Sequence, residues 1–269
     1  MLRCPKCGKP LSKEEKRYFC EEGHSYDIAK EGYVNLMLVN QKHSKNPGDN
    51  DESLAARRAF LGKGYYQPLA EHLARTVQEL IPEKGTFLDR GCGTGYYLNH
   101  LTENVEKDIQ YYAVDIARKG VAMTAKKNKK AVCFVGSVFH LPLGEESLDG
   151  LMSVFTPYSR QEFSRVVKPG GYVIAVTPGK DHLYQLKDIV YDSIYLNEEK
   201  GYDLPDFRLV KKENVTYEKT LECREDIETL WRMTPYYHTT YSGNNDRLKR
   251  YDSLTTVIDF LVSVYRKEL

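Results

Sequence analysis

The chain has 269 residues, 41% of them apolar, and 39 Lys plus Arg against 38 Asp plus Glu give a formal net charge of +1. That size allows one full core and a small appendage, and near-neutrality excludes a protein that holds nucleic acid by bulk charge alone. No apolar run nears the roughly 20 residues of a membrane span and no leader-like stretch precedes Cys4, so the expectation is a cytoplasmic protein without a membrane partner.

The first predicted element is a metal module. Cys4, Cys7, Cys20 and His24 follow the pattern C-x2-C-x12-C-x3-H, while Cys92, Cys133 and Cys223 lie far apart. Two intervening residues let both thiolates of the first pair converge on one ion, so the four read as zinc ligands. Four protein donors fill a tetrahedral shell and leave no position for water, which makes the zinc structural. A segment this short cannot bury enough apolar surface to fold alone, so the metal supplies its stability. Tyr18 and Phe19 are candidates to cover one face of the site, and Cys20→Ser is expected to unfold the module while sparing the rest.

The next stretch reads as a connector, with a short apolar strand-like piece from Tyr33 to Val39 and a polar loop at Pro47, Gly48 and Asp49. Ser53 is a candidate cap for a helix through Ala55–Leu61, and Leu69, Leu73, Val77 and Leu80 carry a second from Pro68 to Leu80. Strands and helices then alternate through "GTFLD", "IQYYAVD", "AVCFVGS", "GLMSVFT" and "GYVIAVTPG". Alternation of this kind predicts an α/β fold with a parallel sheet. "RLVKKENVTYEKTL" and "TTVIDFLVSVYRK" are two further strand candidates, with a helix-like "REDIETLWRM" between them. Three basic runs, Lys42/His43/Lys45, Arg57/Arg58 and Lys126/Lys127/Lys129/Lys130, read first as solvated faces.

"LDRGCGTGYY" places Asp89, Gly91, Gly93 and Gly95 after a predicted strand and at the opening of a helix, where the backbone can approach a nucleotide-bearing ligand. Asp115 ends the next strand, a position suited to ribose hydroxyls or, more blandly, to a helix cap. With "LPLGEESLDGLMSV" and "RVVKPGGYVIAVTPG" these are the ordered segments of a Rossmann-like class I S-adenosylmethionine-dependent methyltransferase. Arg90 departs from the small or branched apolar residue usual there. Its side chain should face a helix-packed layer, where an unpaired guanidinium is costly, so Arg90→Val is expected to preserve or raise donor affinity.

With the zinc pattern, "AKEGYVNL", "NPGD", "ARRAFLGKGYYQPL", "GCGTGYY", "RVVKPGGYVIAVTPGKDHL" and "MTPYY" in one order, the chain resembles the RlmA family of 23S rRNA guanine-N1 methyltransferases over nearly its whole length. The resemblance implies methyl transfer from S-adenosylmethionine to N1 of a guanine in a hairpin loop of 23S rRNA, at position 745 or 748, by a homodimer. It also implies Tyr66, Gly93, Thr94 and His182 around the methyl donor, although Tyr66 could be a packing aromatic and His182 a loop residue. The division expected is a zinc-binding module at 1–28, a connector at 29–68 and the methyltransferase domain at 69–269. A small-molecule methyltransferase would share the segments from Asp89 to Gly179, and an RNA-binding protein with an idle domain is the other alternative. No residue is singled out as the catalytic base; Asp49 and Tyr158 are candidates from their loops, and Cys92 and Cys133 suit packing better than nucleophilic catalysis.

Overall fold

A computed structural model describes residues 1–38, 48–194, 196–199, 201–239 and 242–268. The basic run Lys42/His43/Lys45, together with Val39 and Pro47, lies outside the described residues. The chain opens with a three-stranded antiparallel sheet of β1 (Ser12–Lys13), β2 (Arg17–Phe19) and β3 (Ser25–Asp27). Then come β4 (Tyr33–Asn35), α1 (Asp51–Gly62), α2 (Gln67–Leu80), β5 (Thr86–Arg90), α3 (Tyr96–Asn104), β6 (Gln110–Asp115), α4 (Arg118–Lys127) and β7 (Ala131–Val135). The remainder is β8 (Leu148–Val154), α5 (Arg160–Val166), β9 (Val167–Pro178), α6 (Tyr184–Val190), β10 (Phe207–Leu221), α7 (Arg224–Arg232) and β11 (Leu254–Lys267).

Among the described residues the main sheet has eight strands in the order β10-β11-β9-β8-β5-β6-β7-β4. It is parallel from β4 to β9, and β11 enters antiparallel to both β9 and β10. The expected parallel α/β sheet is therefore mixed, because the long pair "RLVKKENVTYEKTL" and "TTVIDFLVSVYRK" joins as an antiparallel ribbon. Helix α1 starts earlier than Ser53 suggested. Asn50 is the cap, its side chain accepting the Ser53 amide at 2.8 Å.

Strand alternation sends side chains to two cores. Phe87, Tyr111, Cys133 and Ile174 join one with Phe60, Leu73, Leu98 and Trp231 of the helices. Leu88, Val114, Phe134 and Val173 join the other, where α5 contributes Phe163 and Val166. Two residues of the metal module, Leu2 and Tyr18, are buried in this second core. Leu2 also bridges Leu143 in backbone pairing, with the Arg3 amide on Pro142 O at 2.9 Å. The module thus packs on the same face of the sheet as α5. The module expected from the sequence to unfold by itself therefore shares this second core with the sheet, and Tyr18 faces the sheet side, near Tyr112 and Cys133.

The stretch read as connector does more than connect. Its Tyr33–Asn35 pair in parallel with Cys133–Val135 as the outer strand β4. Arg118 donates to the Tyr33 hydroxyl at 2.6 Å and sits over its ring. The lysine run after α4 is structural as well: Lys129 donates to Ala125 O and Lys130 to Thr102 O, both at 2.7 Å. No helix among the described residues is long and apolar enough to cross a membrane.

Candidate functional site

The four predicted metal donors converge. Cys7 and Cys20 Sγ are 3.7 Å apart, His24 Nδ1 is 3.5 Å from Sγ of both Cys4 and Cys20, and all four donor atoms lie within 4.8 Å of one another. A tetrahedron built on zinc–sulfur bonds of about 2.3 Å has corners roughly 3.5–3.8 Å apart, so the donor set fits zinc in size and in chemistry. A glycine-bearing turn presents each cysteine group: the Gly8 amide, at φ +75°, reaches back four residues to the Cys4 carbonyl, and the Gly23 amide, at φ +76°, three residues to that of Cys20. The Tyr26 hydroxyl lies 3.1 Å from Cys4 Sγ. Burial opposes ionisation of that thiol, but hydrogen bonds from Tyr26 and from the amides of Cys7 and Lys6 draw it down to about 6, the thiolate a metal needs.

At the carboxyl ends of β5, β6 and β8 lie two adjoining cavities. The smaller, about 330 Å³, is walled by Gly91, Gly93 and Thr94 of the glycine-rich turn, by Asp115 to Ala117, and by Ser137 to Phe139. Gly91 has φ +80°, and a Cβ there would fall 2.2 Å from Thr156 Oγ1, so no larger residue fits the turn. Asp115 braces the turn, accepting the Gly93 amide on Oδ2 and the Ala117 amide on Oδ1, each at 2.8 Å. Burial raises its carboxyl and these amides resist the rise. Each oxygen keeps a lone pair for a hydroxyl donor, so a ribose fits beside it while the backbone of the turn takes the rest of a nucleoside. Asp89 sits beneath the turn, buried, its carboxyl pushed up to about 8 by burial and by Asp115.

Arg90 neither reaches solvent nor stands unpaired. It is fully buried, with Nε and Nη2 on the Val138 carbonyl at 3.3 and 3.1 Å, Nη1 on Ser153 Oγ at 3.2 Å, and its guanidinium 5.0 Å from the centre of the Phe163 ring. Burial lowers its pKa only to about 10, so it stays charged. Its partner Val138 belongs to the wall of the smaller cavity, and Arg90 is therefore a clamp on that wall.

The larger cavity, about 660 Å³, shares Asp49, Arg57, Tyr97, Phe155 and Thr156 with the smaller. Its own walls include Tyr66, Tyr158, His182, Tyr202 and Met233 to Tyr236. Phe155, on the shared wall, holds φ +52°, a strained conformation for a bulky residue and a common mark of functional sites. Tyr158 and Tyr202 stack at 4.2 Å. His182 Nδ1 accepts the Asp259 amide at 3.2 Å, and burial together with Lys187 pushes its pKa down to about 3. It is a neutral imidazole with its proton on Nε2. Arg57 ties three segments together, donating through Nε to Asp49 Oδ2 at 3.1 Å and through Nη2 to Met233 O at 3.4 Å, with Nη2 also in ion-pair contact with Asp49 Oδ2 at 2.9 Å.

Of the residues expected around the donor, the structure brings Gly91, Gly93, Thr94 and Asp115 into the wall of the smaller cavity, while Tyr66 and His182 line the larger one and Asp89 and Gly95 line neither. Cys92 and Cys133 are buried, and burial raises both thiols, Cys133 to about 12. Sequence reasoning did not single out Phe155, Thr156 or Tyr202, and read Arg57 as a solvated charge. "FTPY" at the end of a buried strand was the available signal for the first two, since ligands in such folds sit beyond the carboxyl ends of strands.

Comparison with known proteins agrees with this geometry. A family model described as "RlmA, N-terminal" matches residues 2–45, and one described as "Methyltransferase domain" matches residues 88–175. The 23S rRNA (guanine(748)-N(1))-methyltransferase of Streptomyces fradiae is 35% identical over 190 residues, 70% of this chain and 66% of that enzyme. Two further relatives are named as putative 23S rRNA (guanine-N(1)-)-methyltransferases, the second of them YxjB. That of Micromonospora griseorubida is 32% identical over 70% of this chain and 68% of its own, and that of Bacillus subtilis 29% identical over 98% and 97%. Among solved structures, the "putative sarcosine dimethylglycine methyltransferase" of Galdieria sulphuraria superposes with a TM-score of 0.51 at 15% identity, covering 81% of this chain and 99% of that one, a likeness of fold. With a zinc-ribbon module docked on a class I methyltransferase sheet, the chain belongs to the family of 23S rRNA (guanine-N1)-methyltransferases.

Proposed function

We propose that this protein methylates N1 of a guanine in a hairpin loop of 23S rRNA, with S-adenosylmethionine as methyl donor, in the cytoplasm and as a homodimer. The observation that carries the reading is the second cavity. Its walls gather Asp49, Arg57, Tyr66 and Met233 to Tyr236, which come from the "NPGD", "ARRAFLGKGYYQPL" and "MTPYY" stretches, and it opens onto the nucleoside-sized cavity through a shared wall. A base that reacts on its pairing edge has to leave the helical stack, and aromatic faces such as Tyr158 and Tyr202 suit a flipped purine.

In this reading the donor occupies the smaller cavity. The turn at Gly91, Gly93 and Thr94 holds it, with Asp89 and Gly95 shaping the turn and Asp115 taking ribose hydroxyls. Tyr66 and His182 close the far side of the adjoining cavity. When bound, S-adenosylmethionine supplies a methyl group on a sulfonium, already activated for displacement. The protein's part is to position the base, exclude water and take up a proton. Cys4, Cys7, Cys20 and His24 hold a structural zinc in residues 1–28, followed by the connecting region 29–68 and the methyltransferase domain 69–269.

Primer extension on 23S rRNA from cells lacking the protein tests this reading, because an N1 methyl blocks pairing and stops the polymerase. A stop lost at 745 or at 748, and regained on complementation, is the expected result and assigns the position. Unchanged stops in that hairpin would overturn the proposal.

A further inference from the structure

We infer that Asp49 is the catalytic residue that receives the proton from guanine N1, and that Arg57 positions it by engaging one of its two oxygens. The inference rests on the proposed function and adds the proton acceptor to it.

The larger cavity is poor in groups that can accept a proton. Among the described residues lining it, Asp49 is the sole carboxylate. His182 has given its Nδ1 lone pair to the Asp259 amide and carries its proton on Nε2, so it offers the cavity a donor and no acceptor. The tyrosines are phenols, acceptors of a proton only once ionised, and burial moves Tyr66, Tyr97 and Tyr202 further from that state. Tyr158, the other loop candidate, has its hydroxyl engaged by the Asp203 amide at 3.4 Å and its ring stacked on Tyr202. Asp115, the acid of the neighbouring cavity, has an amide on each oxygen.

Asp49 lies on the wall common to both cavities, where a methyl group has to pass from donor to base. Both Arg57 contacts fall on Oδ2, and Oδ1 carries no hydrogen bond among the described residues. Guanine presents N1–H and an N2 amino group side by side, two donors that a carboxylate oxygen accepts. Adenine presents a lone pair at N1, which the same oxygen repels, so this arrangement also selects the base. In the reaction the N1–H bond breaks and its proton goes to Asp49 Oδ1. The freed pair on N1 forms the bond to the methyl carbon, and the carbon–sulfur pair leaves with sulfur. Carboxylate, sulfonium and guanine become carboxylic acid, neutral thioether and N1-methylguanine, and charge balances.

The test is single-turnover methylation of a transcript of the 23S rRNA hairpin by wild type, Asp49→Asn and Asp49→Glu, with donor and transcript dissociation constants measured in parallel by calorimetry. The expected result for Asp49→Asn is a rate loss of about 10²- to 10⁴-fold with both constants within about threefold of wild type. The deficit should shrink as pH rises and hydroxide takes over the N1 proton, and Asp49→Glu should recover part of the rate. An Asn variant within about threefold of the wild-type rate, or one whose loss is matched by weakened binding, would overturn the inference. Wild-type protein that leaves the transcript unmethylated would overturn the proposed function instead.

Discussion

The two cavities share a wall and differ in the stretch of chain that builds the rest of each. Beyond the shared wall, the smaller one is lined mainly by the segments that follow β5, β6 and β7, Gly91 to Thr94, Asp115 to Ala117 and Ser137 to Phe139, braced by the Asp115 carboxylate and by the Arg90 clamp. The larger one draws on segments from Asp49 to Tyr236 that meet only when the sheet is complete, with Arg57 pinning Asp49 to Met233. The smaller cavity rests mainly on three neighbouring strand ends, and the larger one on a surface assembled from afar. The substitutions below should separate the two halves.

The largest effect is expected from losing the metal. Because Leu2 and Tyr18 sit in the sheet's own core, Cys20→Ser should expose both, at about 1.5–3 kcal/mol each, and lower the melting temperature by about 10 °C. Donor affinity should fall with it, since the segment that pairs with the module, Pro142 to Gly144, continues directly from the Ser137–Phe139 wall. A melting curve for the sheet unchanged by Cys20→Ser would restore the independent module expected from sequence. Next comes Asp115→Ala, which removes charge-assisted hydrogen bonds worth about 1.5–3 kcal/mol and should weaken donor binding about ten- to a hundredfold by calorimetry. Affinity for the RNA hairpin should hold, and an equal loss there would show that the halves are not separable.

Arg90→Met should act on the donor half in the same direction and less strongly. It leaves the Val138 carbonyl without its buried donor, a cost of about 1–3 kcal/mol shared between folding and the shape of the cavity wall. The sequence-based expectation for Arg90→Val was the reverse, and an unchanged or tighter donor dissociation constant would reinstate it. The smallest effect concerns the far side of the larger cavity. His182 titrates near 3 in the folded protein against about 6.5 unfolded, so below pH 6.5 the unfolded chain takes up a proton that the native state refuses. Stability therefore falls with acid, by about 1.4 kcal/mol on reaching pH 5.5. Urea midpoints of His182→Gln should change less over that interval than wild type, and the rate profile of wild type should show no ionisation of His182.

Much of this was legible in the sequence because it is local. C-x2-C-x12-C-x3-H, the glycine-rich turn and the alternation of apolar runs are written in consecutive residues, and the structure places them as spacing and periodicity suggest. What escaped was pairing over distance. Tyr33–Asn35 looked like a strand, but nothing nearby says that its partner is Cys133–Val135. Arg57 looked like surface charge because its partners, Asp49 and Met233, lie 8 and 176 positions away. Arg90 looked like a defect since no sequence rule states which carbonyl a buried guanidinium will find. Asn50 and Ser53 are both good caps, and which one serves depends on where the preceding loop delivers the chain.

The bridge between Leu2 and Leu143 has a consequence for biosynthesis. The metal site closes within the first 24 residues and can form as soon as they emerge, but its docking surface waits for β7 and the segment through Leu143. At about 5–20 residues per second, ribosomes need roughly 6–24 s to deliver that stretch. Through that interval the side chains of Leu2 and Tyr18 are exposed on a nascent module with nothing to cover them.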